Sequence, residues 1–190
     1  MKRLDCAALL LAAASVFSTS APAAPAAPAR RAPPAQYENW GVCPFECCTY
    51  RDWTATDNIP VYQDRKAGSA LAFSLRRDEK ATALTGVVVT QKAARIRIAS
   101  AMQDGYLDGK DGPQLSLKPG DIVYLLAPLG EGAFLFWYQG KVYRSSLELG
   151  SLPTINAEQA RMVWWKQIRN SAGKSGWTRS DKFANADACG

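Results

Sequence analysis

The stretch Val163-Trp164-Trp165-Lys166-Gln167-Ile168-Arg169-Asn170-Ser171-Ala172-Gly173-Lys174-Ser175-Gly176-Trp177-Thr178 decides the fold. Two apolar, aromatic-rich segments flank a polar turn with a glycine, and a second glycine stands directly before the closing tryptophan. That pattern predicts a β-hairpin. Its three tryptophans carry more apolar surface than a lone hairpin can cover, so the hairpin has to be part of a small barrel that buries them.

Working outward, no segment shows a helical period, and short β-branched or aromatic runs alternate with turn residues. Strands are expected over Ile59–Tyr62, Leu71–Leu75, Ala81–Thr90, Arg95–Ala99, Asp121–Leu126, Ala133–Tyr138, Lys141–Arg144, Val163–Arg169 and Gly176–Thr178. Gly105 to Pro113 reads as an exposed loop. Ser145 to Ala160 reads as polar and irregular, with one helical turn over Asn156 to Arg161 capped by Asn156. The fold class is all-β with little or no helix.

An internal echo runs from Phe73-Ser74-Leu75-Arg76-Arg77-Asp78-Glu79-Lys80-Ala81-Thr82-Ala83-Leu84 to Leu115-Ser116-Leu117-Lys118-Pro119-Gly120-Asp121-Ile122-Val123-Tyr124-Leu125-Leu126. Each copy is an apolar strand, a charged turn and a second strand. Ile59-Pro60-Val61-Tyr62 with Lys66-Ala67-Gly68-Ser69 precedes the first copy, and the Gly176-Trp177 hairpin closes the second. Together these phrases resemble bacterial SH3-like (SH3b) domains: an opening strand, an RT-type loop and a terminal hairpin ending in Gly-Trp. The resemblance covers about residues 59–183 in pieces. It divides the chain into a signal peptide (1–23), an Ala/Pro-rich linker (24–36), a Cys-rich segment (37–58), an incomplete first unit (59–111), a second unit (112–183) and a tail (184–190). Two barrels with shared elements are expected; one barrel with a large insertion is the other arrangement that fits.

The N-terminus reads as an export signal. Lys2 and Arg3 precede an apolar run from Cys6 to Phe17 that is too short to span a bilayer comfortably, and Ala21-Pro22-Ala23 offers small residues for cleavage. The protein is therefore expected in the periplasm or outside the cell, without stable membrane insertion. Prolines at 25, 28, 33 and 34 make the next segment extended and solvated. The formal net charge is +6. Its positive residues, Lys166 and Arg169 among them, read as solvated strand faces and loop tips. Export argues against a nucleic-acid partner, and the charge suits anionic envelope polymers.

Beyond the signal four cysteines remain: Cys43, Cys47, Cys48 and Cys189. In an oxidising compartment an even number implies disulfides. A bridge between the adjacent Cys47 and Cys48 would be strained. Cys43 is expected to pair with one of them and Cys189 with the other. The Cys-x3-Cys-Cys spacing is not a zinc motif, and neither a metal nor a cofactor is expected. The chain contains no histidine, which excludes Cys–His and Ser-His-Asp catalysis. A carboxylate pair, as in glycosidases, is the surviving catalytic chemistry. Its candidates, Asp104, Asp108, Asp111, Asp121 and Glu131, lie mostly in turns, so no catalytic residue is assigned.

Alternation lets only one of Trp137 and Tyr138, and one of Trp164 and Trp165, face a core. The others are free for a groove, and Tyr62, Tyr138, Trp164 and Trp165 are the ligand-binding candidates. The SH3b resemblance implies a non-catalytic module with peptidoglycan, especially its peptide stems, as ligand. It puts the site between the loop from Tyr62 to Ala70 and the last hairpin. An envelope protein–protein adaptor and a small carboxylate-based hydrolase are the alternatives.

Overall fold

The computed structural model describes residues 32–107, 110, 112–130, 132–145, 154–155 and 160–189. The described residues are all-β and contain no helix. The expected export signal and most of the expected linker lie outside them, as do Asp108, Asp111, Glu131 and nearly all of the segment from 146 to 159.

The strands are β1 Tyr37–Trp40, β2 Asp52–Ala55, β3 Ile59–Tyr62, β4 Leu71–Leu75, β5 Lys80–Lys92, β6 Ala94–Ile98, β7 Met102–Gln103 and β8 Tyr106–Leu107. There follow β9 Ser116–Leu117, β10 Ile122–Gly130, β11 Ala133–Tyr138, β12 Lys141–Arg144, β13 Thr154–Ile155, β14 Arg161–Asn170, β15 Ser175–Thr178 and β16 Phe183–Ala184. The expected hairpin is β14–β15, with Gln167 opposite Trp177 and Ile168 opposite Gly176. Its turn is closed by the Asn170 side chain, which accepts from the Lys174 amide at 3.0 Å. Gly176 is needed for close approach: a Cβ there would lie 2.7 Å from the Tyr62 carbonyl oxygen and 2.8 Å from Val61.

An eight-stranded sheet runs in the order β16-β2-β5-β14-β15-β3-β4, with β1 also on β5. A six-stranded sheet runs β13-β6-β10-β11-β12-β8, and β7 pairs with β9. The chain leaves the first sheet after β5 and returns to it at β14, so the second sheet is an insertion between two partner strands. Membership thus divides the chain differently from the expected units 59–111 and 112–183. The terminal hairpin completes the sheet begun by β3 and β4, because β5 and β14 pair over their length, from Arg161–Lys92 to Asn170–Ala81. The segment expected as an exposed loop from Gly105 contributes β8, which pairs with β12. Gly105 lies so close to the Phe136 ring that a Cβ would overlap it.

Each sheet has its own core. The first gathers Trp53, Ile59, Val61, Leu75 and Ile168; the second gathers Ile96, Ile98, Val123, Phe134 and Phe136. Val87, Val88, Val89 and Thr90 of β5 are all buried, the continuous run of a strand covered on both faces. Thr90 joins the two sheets by donating its hydroxyl to the Leu126 carbonyl.

Two disulfides close the ends: Cys43–Cys48 and Cys47–Cys189, each with Cα atoms 5.6 Å apart. The adjacent cysteines do avoid each other and take separate partners. The second bridge spans 142 residues, a loop whose closure in the unfolded chain stabilises by roughly 4–5 kcal/mol in the chain-entropy account. Arg51 reinforces it by donating to the carbonyls of Asn185 and Asp187 at 2.8 and 2.7 Å.

Candidate functional site

In-register partners of an antiparallel pair share a face, so the pairings assign every aromatic of the first sheet. Trp165 is opposite Val87, which is opposite Trp40 in β1. Gln167 is opposite Trp177, which is opposite Tyr62. Tyr62, Trp40, Trp165 and Trp177 therefore occupy one face. Trp164, Lys166 and Ile168 occupy the other. Tyr138 is on β11 of the second sheet and packs against that sheet's core. Of the four expected groove residues, Tyr62 and Trp165 come together, Trp164 lies across the sheet from them, and Tyr138 is remote.

On the Trp165 face a cleft of about 420 Å³ opens between the loop after β3 and the last hairpin. Arg65, Lys66 and Ala67 form its loop side; Val163 and Trp165 form its hairpin side; Glu38, Val89, Gln91 and Arg179 complete it. Arg65 is held in place. Its guanidinium packs over Trp40 and Trp177 at 4.6 and 5.2 Å and pairs with Glu38 at 3.0 Å. Arg179 covers Trp165 at 5.2 Å. Arg65, Lys66 and Arg179 outnumber the carboxylates beside them, Glu38 and the Asp64 that pairs with Lys66 at 3.4 Å, so the cleft is positive, and Trp40, 52% exposed, extends an aromatic ledge beside it.

The Trp164 face is built differently. Trp164 and Trp53 meet edge to face at 6.1 Å, Phe45 meets Trp164 at 5.8 Å, and Phe183 lies 5.2 Å from Trp53. The Trp164 indole donates to the Tyr50 hydroxyl at 3.0 Å, which donates to the Val42 carbonyl at 2.7 Å. Burial pushes the Tyr50 phenol above its ordinary pKa. Gly86 makes room for this crossing: a Cβ there would overlap the Tyr50 hydroxyl and lie 2.6 Å from the Trp164 indole nitrogen. A pocket of about 560 Å³ results.

Lys166 lies in the wall of that pocket and is 1% exposed. The expectation that it is solvated is overturned, because alternation puts it between Trp164 and Ile168 on the core face. Its ammonium donates to Asp181 Oδ1 at 2.5 Å and to the Arg179 carbonyl at 3.2 Å, and lies 4.0 Å from the Trp164 ring centroid. Burial pulls its pKa below the ordinary lysine value, with Asp181 pulling the other way. Asp181 itself is 81% exposed.

Of the carboxylates weighed for catalysis, Asp104 is buried and accepts from Ser145 Oγ at 2.7 Å. Asp121 accepts from the Lys118 amide at 2.8 Å, closing its turn. Cys47, Cys189 and Asp187 lie close together, but the two sulfurs are bonded to each other.

Arg65, Arg179, Phe45, Asp181 and Phe183 were missed as site residues. One pattern could have flagged part of the site: a lysine inside the alternating set Trp164, Lys166, Ile168 has to face the core and demands a carboxylate. The remaining residues come from distant segments and leave no local mark. No protein-family model, curated protein or solved structure matches the chain.

Proposed function

We propose that this is a non-catalytic, extracytoplasmic binding protein of SH3b type that grips peptidoglycan, by its peptide stems, in the Trp165 cleft. The observation that carries the reading is the cleft's position and charge. It lies between the loop after Tyr62 and the terminal hairpin, and around Trp165 the cations Arg65, Lys66 and Arg179 outnumber Glu38 and the Asp64 paired with Lys66. A short peptide bearing free carboxylates complements such a site, with the indole covering its apolar stretches. Arg65 is already fixed against the Trp40 and Trp177 rings and by Glu38, so less side-chain entropy is lost on binding. Two disulfides suit a compartment outside the cytoplasm.

The test is co-sedimentation of the purified protein with isolated sacculi across a salt series. Retention at moderate salt that drops about tenfold with Trp165→Ala and with Arg179→Ala is expected. Retention indifferent to both changes, or none at all, refutes the assignment. In that case capture of an envelope protein becomes the leading reading.

A further inference from the structure

The Trp164 pocket is not used by the cleft reading. It lies on the opposite face of β14, and part of its wall comes from segments outside the SH3-like part: Phe45 from the disulfide-closed loop and Ala184 to Asp187 from the segment tied down by Cys189. At about 560 Å³ it has the size of a small-ligand site.

Its chemistry narrows the occupant by three exclusions. A cationic ligand is disfavoured, because the ammonium of Lys166 already lies 4.0 Å from the Trp164 ring centroid. An anionic ligand is disfavoured as well: Asp181 and Asp187 line the pocket, and its one ammonium is paired at 2.5 Å. A wholly apolar ligand would cover Asp181, Asn185 and Asp187 without replacing their water, which costs free energy for each polar group left bare. What remains is a neutral molecule with an apolar face and a rim of groups that both donate and accept. A pyranose ring has that construction: C–H bonds on one face and hydroxyls around the edge.

We propose that the Trp164 pocket is a saccharide-binding site. The sugar's C–H face packs on Phe45, which is 39% exposed, and on Trp164. Its hydroxyls donate to the carboxylates of Asp181 and Asp187 and exchange hydrogen bonds with Asn185. The inference goes beyond the stem-peptide cleft and stands or falls separately from it.

Titration of the disulfide-intact protein with two uncharged probes, a β-linked N-acetylglucosamine tetramer and a glucose tetramer, followed by tryptophan fluorescence, tests it. Saturable binding of either probe is expected, weakened about tenfold by Phe45→Ala and unchanged by Trp165→Ala. Phe45 is in a partly exposed loop, and unchanged near-UV circular dichroism establishes that the variant is folded. Asp187→Asn is the second variant, expected to weaken binding severalfold. Absence of saturation by both probes overturns the proposal. So does binding that Trp165→Ala abolishes and Phe45→Ala leaves alone. Neither probe carries peptide, so this failure is distinguishable from loss of sacculus binding through the cleft.

Discussion

Trp164 and Trp165 are neighbours in the chain, yet they belong to two different surfaces. Trp165 borders a positive cleft in which Arg65 and Arg179 lie over indole rings. Trp164 belongs to a cluster with Trp53, Phe45 and Tyr50, next to a buried lysine and beneath disulfide-held segments. The period of two of a β-strand is enough to separate them. One strand can line two pockets when neither of its faces is given wholly to a core, and here the two are held by different means. The Trp165 cleft uses strand pairing and stacked guanidinium groups, whereas the Trp164 pocket depends on covalent bridges and one ion pair.

That difference can be broken at its strongest point first. Cys47→Ser combined with Cys189→Ser is expected to lower stability by roughly 4 kcal/mol, read as a shift in the urea midpoint. The loss of order should be confined to the Trp164 side. Amide exchange is expected to quicken most at Ala184 to Asp187, while Val87 to Val89 quicken only by the global loss of stability. Uniform quickening would mean that the two faces are not separately supported.

Next comes Gly86→Ala, at about 3 kcal/mol, since the added methyl meets the Tyr50 hydroxyl, the Trp164 indole and the Trp165 carbonyl, the last of which is backbone. Near-UV circular dichroism should change as the Tyr50–Trp164 hydrogen bond is displaced. A neutral substitution would show that this crossing is slack.

The smallest effect, about 2 kcal/mol, is expected for Asp181→Asn, which keeps an acceptor oxygen but removes the counter-charge of a buried ammonium. Its sign with pH follows from the direction of the Lys166 shift. Burial holds the folded-state pKa below 10.5, so between that lowered value and 10.5 the unfolded chain binds more protons than the folded one. The stability difference between the parent and Lys166→Met therefore moves in the parent's favour as pH rises through that window. Paired urea titrations from neutral to alkaline pH measure it. A constant difference would mean that Lys166 titrates like a free lysine.

Much of the fold was legible because strand residues announce themselves locally. Ile59–Tyr62, Leu71–Leu75, Ala133–Tyr138 and Lys141–Arg144 appear in the structure with the bounds their alternation and flanking turns suggested. The short strands β1, β2 and β16 did not, since each depends on a partner distant in sequence: β1 and β2 on β5, and β16 on β2. The same limit applies to the sites. Alternation separates Trp164 from Trp165 without naming which one meets Phe45 and which one meets Arg179. Those meetings depend on the Cys43–Cys48 loop and on the path of the chain after Thr178. Two separate cores were likewise hidden, because Ile96 and Ile59 look alike until pairing assigns them to different sheets.

The inserted sheet has a consequence for how this chain folds in time. Lys92 and Arg161 are register partners, so everything from β6 to β13 is one long excursion from the tip of a hairpin. The entropic cost of closing such a loop grows only slowly with its length, and the native state tolerates it. The rate is another matter, because β5 cannot zip to β14 until the excursion brings its ends together. A second sheet that has already condensed shortens the path between those ends. The graft would then serve as its host's template, with the more local module folding first and the strand bearing Trp164 and Trp165 closing last.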